Sequence, residues 1–170
     1  TGCVDPNNPM EMAEGLIPFE PNAPFWSDGA IKTRWMAIPD GTMVTIDTDG
    51  RFVYPTGSVL VKSFEVGGKL IETRLFVLHE DGEWGGYVYE WRDDESDADL
   101  LSSGKVKDIN GQTWIYPSRS ECLSCHTANA GRVLGPEIMQ LNGDMIYTET
   151  NRISNQVATL AHIGILDAAY

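Results

Sequence analysis

The stretch Cys122-Leu123-Ser124-Cys125-His126 constrains this chain more than any other. Two thiols three residues apart lie on one face of a helical turn. An imidazole follows directly. This is the C-x-x-C-H pattern of covalent haem attachment, in which both sulfurs reach the vinyl groups of one porphyrin and the histidine ligates the iron. The chain holds only three Cys and three His, and the motif takes two of the first and one of the second. A thiol redox pair would be expected where a strand enters a helix in a βαβ pattern, and the sequence shows no such pattern. A zinc site needs four ligands, so Cys3 and a distant histidine would have to complete it. The expectation is one covalent haem c, bound through Cys122 and Cys125, with His126 on the iron.

The other face of the iron needs a second decision. Methionine raises the potential, histidine lowers it, and an open face permits ligand chemistry. Along the strand 69–79 side chains alternate, so Ile71, Thr73, Leu75, Val77 and His79 share one mostly apolar face. His79 is therefore the leading sixth ligand, as a second metal- and cofactor-binding residue. Met139 and Met145, downstream of the motif, and His162, one position past an apolar helical stripe, are the alternatives.

The net charge of −13 argues against nucleic-acid binding, which needs a basic face. It would steer the protein towards basic patches on partners. No apolar run is long enough to span a membrane. With 42% apolar residues and five Trp, the 170 residues can bury a core as one domain.

Residues 1–30 are rich in Pro, Asn and Gly and predict an extended surface segment with Phe19, Phe25 and Trp26 as anchors. Residues 31–117 read as short strands divided by turn signals, among them Gly67-Gly68 and Asn110-Gly111, which mark hairpins. Residues 118–170 change texture. A short helix over 118–128 carries the haem motif, with Ser118 or Ser120 as its cap. Pro136 opens a helix over 137–141, and an apolar stripe predicts a helix over 150–161 or beyond. The fold class is α+β: an antiparallel β-rich body, sandwich or barrel-like, followed by a small helical haem-bearing part.

Weaker signals surround the motif. Asp93, Asp94, Glu95, Asp97 and Asp99 form an acidic run, read as a solvated loop because it lacks the spacing of a calcium loop. Arg119 and Arg132 flank the motif as candidates for pairing with haem propionates. Tyr87, Tyr89 and Trp91 alternate on one strand face and read as core rather than as a sugar platform.

Several stretches resemble a bacterial family of large secreted multi-haem c-type cytochromes. They are Gly15-Leu16-Ile17-Pro18, the run 23–30 (Ala-Pro-Phe-Trp-Ser-Asp-Gly-Ala), Ile71-Glu72-Thr73-Arg74-Leu75, Tyr89-Glu90-Trp91, the run 121–127 around the motif, and Asn155-Gln156-Val157-Ala158-Thr159-Leu160. His79, followed by Glu80-Asp81-Gly82 and Trp84, also fits that pattern. The resemblance implies a secreted, extracellular or periplasmic bacterial protein, cut from a larger multidomain chain. It also implies electron transfer to a neighbouring haem domain or an extracellular redox partner protein. Carbohydrate-binding modules in some members point to polysaccharide-associated enzymes as the context. Two other functions stay open: a haem enzyme, peroxidase-like or substrate-oxidising, with an open distal face, and a carbohydrate-binding β module.

Overall fold

The computed structural model describes residues 2–167. Its centre is an open six-stranded antiparallel sheet built from β3 (Ile17–Pro18), β4 (Ile31–Ala37), β7 (Val59–Val66), β8 (Lys69–Leu78), β9 (Trp84–Trp91) and β10 (Ala98–Leu100). The spatial order is β10-β9-β8-β7-β4-β3. It does not close into a barrel. Shorter hairpins cover it instead: β1 (Val4–Asp5) with β2 (Asn8–Met12), β5 (Thr45–Ile46) with β6 (Phe52–Val53), and β11 (Lys105–Ile109) with β12 (Gln112–Tyr116).

The hairpins form where the sequence supplies left-handed residues. Gly67 and Gly68 join β7 to β8 with φ of 61° and 81°, and Asn110 and Gly111 join β11 to β12 with 56° and 81°. Two consecutive positive φ values match the twist of a two-residue hairpin.

Alternation divides the sheet into two faces. One face carries Leu75, Val77 and Tyr87, packed with Cys3, Val61, Trp35 and Met12. The other carries two core clusters. At one end Met36 and Leu78 pack with Phe19, Phe52, Leu141, Val157 and Leu160. At the other end Phe64 and Val88 pack with Trp114 and Tyr116 of β12. The C-x-x-C-H segment lies on this second face, with Cys122 against Gly86 and His126 against Phe76.

The last third of the described chain mixes helices and strands. The helices are α1 (Arg119–Cys125), α2 (Ile138–Leu141) and α3 (Gln156–His162), and β13 (Asp144–Tyr147) pairs with β14 (Arg152–Asn155) between the last two. The expected helix over 150–161 thus begins only at Gln156. Ile153, read as part of its apolar stripe, lies in β14 and is exposed, while the Asn155 side chain caps α3 by accepting from the Ala158 N–H at 3.1 Å.

The first 30 residues also depart from expectation. They contain β1, β2 and β3, because Asp5 and Asn8 cap their own turn through 2.7 and 3.4 Å bonds to Asn7 N and Met10 N. Phe19 is buried as expected, but Phe25 and Trp26 are 64% and 79% exposed, so they are not anchors.

Candidate functional site

Helix α1 is only two turns long, so its ends decide whether it forms. Ser118 caps it. Its hydroxyl accepts from the Glu121 N–H, and the Glu121 carboxylate accepts from the Ser118 N–H at 2.7 Å, a reciprocal capping box. The helix lies against β9. Gly86 of β9 makes this approach possible: a Cβ there would stand 2.8 Å from Cys122 Sγ and 3.0 Å from Cys122 Cβ. Cys122 is half-buried and Cys125 exposed, with no disulfide between them.

His126 ends the helix, its N–H bonded to the Cys122 carbonyl at 3.0 Å. The chain then turns through Gly131 and Arg132, both in the left-handed region at φ 74° and 62°. That turn returns the Arg132 carbonyl to the imidazole, where it accepts from Nδ1 at 2.6 Å. A carbonyl only accepts, so the proton sits on Nδ1. Nε2 is left as a lone pair with no hydrogen-bond partner among the described residues. The ring rests on Phe76, centroids 4.4 Å apart, and Phe76 stacks on Trp84 at 4.8 Å. Burial, aided by the charges of Lys62 and Arg74 and opposed by the Arg132 bond, holds the His126 pKa below its usual value. The imidazole is therefore neutral at pH 7 and able to ligate.

Burial also pushes the Cys122 thiol up. That is the opposite of the shift that makes a redox-active thiolate. Cys3 lies on the other face of the sheet with Val61 and Leu75. Among the described residues no three His, Cys, Asp or Glu side chains converge as a cation cage, whereas a haem iron needs only one or two protein ligands.

His79 follows β8 on the face opposite Cys122 and His126. Its Nε2 is 3.0 Å from the Tyr87 hydroxyl and packs on Gly85, the neighbour of Gly86 that faces the other way. Met139 stands on α2, whose Ile138 and Leu141 pack into the core on the same side of the sheet as Cys122 and His126, and Met139 itself is 83% exposed. Met145 lies in β13 and His162 at the end of α3.

No family model matches this chain, and no curated protein or solved structure matches it. What the site can do rests on its own chemistry.

The flanking arginines have other partners. The Arg119 guanidinium lies 4.2 Å from the centroid of the Tyr87 ring. Arg132 donates to the His126 carbonyl at 3.3 Å and faces Glu83 at 3.7 Å. The acidic run joins β9 to β10 and meets its own cations: Arg92 pairs with Asp99 at 2.7 Å, and Lys107 with Asp93 at 3.0 Å. Trp91 is buried, its N–H donating to Thr73, so the alternating aromatics belong to the core. Sequence reading missed Phe76, Trp84 and Gly86. Their place under α1 depends on the strand register, which no local pattern reveals.

Proposed function

We propose that this chain is a c-type cytochrome domain that carries one covalent haem and transfers electrons. Cys122 and Cys125 would hold the group through thioether bonds, and His126 Nε2 would ligate its iron. The observation that carries this reading is the His126 imidazole. Its Nδ1 proton is spent on a backbone carbonyl and its Nε2 lone pair meets no donor among the described residues, which is how a proximal ligand is oriented and kept in one tautomer. Bound there, the iron supplies one-electron redox chemistry. Phe76 and Trp84 supply an apolar wall beside the ligand, and α1 leaves Cys125 at the surface.

Met139, on a helix that packs on the same side of the sheet as His126 and itself exposed, would be a better placed sixth ligand than His79, whose ring lies against Gly85 and Tyr87 on the other face. A six-coordinate iron suits electron transfer rather than peroxide or substrate chemistry. The electron partner is a neighbouring haem domain or another redox protein. The setting is secreted or periplasmic, and polysaccharide-degrading systems are the context. No described helix is long and apolar enough to cross a membrane.

Absorption spectra of the matured protein test the reading. Low-spin iron in both oxidation states, unchanged by peroxide or cyanide, is the expected result. High-spin iron that binds either ligand readily would point instead to a haem enzyme.

A further inference from the structure

Three cations stand side by side across the centre of the sheet. Arg34 of β4 is the direct cross-strand partner of Lys62 of β7, and Lys62 is the partner of Arg74 of β8. Like charges placed directly opposite in a sheet repel one another. The row is also largely shielded from water: Arg34 is only 9% exposed, and Lys62 and Arg74 are half-buried.

Among the described residues only one of the three is neutralised. Arg74 makes a two-pronged pair with the fully buried Glu72, at 2.6 and 3.0 Å, and Glu72 accepts a further bond from Trp114. Lys62 leans its ammonium on the Phe64 ring at 5.0 Å, which supplies no anion. Neither Arg34 nor Lys62 has an ion pair or a side-chain hydrogen bond among the described residues. Glu20 acts on Arg34 only at a distance, and Lys32, the next cation on β4, is turned to Ser27 and the Phe25 carbonyl. Burial and the charges of Arg34, Arg74 and Lys32 bring the Lys62 pKa down to about 7, against the opposing pull of Glu72. An anion set against this row would offset both the cross-strand repulsion and the lost hydration of Arg34 and Lys62.

The anion's place follows from the register. Arg74 and Phe76 are two residues apart on β8, on one face, and the Phe76 ring touches His126. Phe76 pairs with Gly86, which backs Cys122. The cation row thus begins one strand repeat from the floor of the haem site. A haem brings two carboxylates, and two cations of the row have no ion-pair partner among the described residues.

We propose that Arg34 and Lys62, flanked by Arg74, seat the two propionate carboxylates of the haem. The inference rests on the reading under Proposed function. It assigns the carboxylates to the sheet rather than to Arg119, whose guanidinium lies over the Tyr87 ring of the opposite face, or to Arg132, which is turned to the His126 carbonyl and Glu83.

The test is potentiometry on the matured holoprotein and its Lys62→Met and Lys62→Arg variants. Met fills the volume without the charge, and Arg restores the charge. In Lys62→Met, loss of a nearby cation favours ferric iron. The oxidised-to-reduced ratio at a fixed poise should rise about tenfold, a fall of about 59 mV for one electron. The pH at which the potential becomes pH-dependent should rise, because a carboxylate that loses its cation titrates higher. Lys62→Arg should restore both. Unchanged potential and pH profile in a Lys62→Met protein that keeps its haem would overturn the proposal alone. So would a wild-type potential that shifts saturably with added inorganic phosphate, which would mark the row as a site for a free anion. A protein with no covalent haem would overturn the underlying reading first, and a haem stain of the denatured chain distinguishes that case.

Discussion

Gly86 and Cys122 touch where the helix bearing the haem motif meets the sheet: a single added methyl on Gly86 would sit 2.8 Å from the Cys122 sulfur. Real carbon–sulfur contacts do not come so close, so Gly86→Ala must push α1 off β9. The expected cost is about 1–3 kcal/mol, with covalent haem per chain reduced at least twofold. Gly85→Ala is the matched control. Its added methyl meets the movable end of the His79 ring on the opposite face, and haem content should hold. Pyridine haemochrome assay against protein concentration measures both.

The two faces of the sheet also separate His79 from Met139 as candidate sixth ligands. His79→Ala should leave the iron low-spin. Met139→Ala should convert it to high-spin and open it to cyanide. A high-spin His79→Ala protein with an unchanged Met139→Ala protein would reverse the assignment.

The capping box makes a stability prediction. α1 has few internal hydrogen bonds, so Ser118 and Glu121 carry much of its order. Ser118→Ala should lower stability by about 1 kcal/mol, seen as a lower urea midpoint at unchanged m-value.

Lys62 gives a pH dependence with a definite sign. Its pKa of about 7 in the fold lies below its ordinary 10.5. Between these values the unfolded chain binds more protons than the folded one, so stability rises with pH across that window. Protein produced without haem should therefore grow more resistant to urea from about pH 7 to pH 10. Lys62→Met should flatten that slope.

Much of this arrangement could be read from the residues. The strands from Val59 to Trp91 and the hairpin from Lys105 to Tyr116 follow from β-branched and aromatic runs closed by Gly-Gly, Asp-Gly and Asn-Gly turns. The short helix over the C-x-x-C-H segment and its Ser118 cap were equally plain, because both are local. Long-range register was not. His79 lies on the face expected from alternation, but which face meets α1 is set by Gly86 and by the β8–β9 pairing. Strand β14 interrupts the predicted third helix because Ile153 pairs across to Ile146, a tertiary contact that outweighs helical periodicity. The row Arg34, Lys62, Arg74 was invisible in the sequence, since its members come from three strands and meet only when those strands align.

The most direct test of the account is the intact mass and colour of the protein made in cells that attach haem c. The wild-type chain should be red and heavier than its sequence by the mass of one haem, and should keep that mass after denaturation. The Cys122→Ala/Cys125→Ala double variant should lose the added mass. A colourless wild-type chain at its bare sequence mass, from cells that load a control cytochrome, would contradict the account.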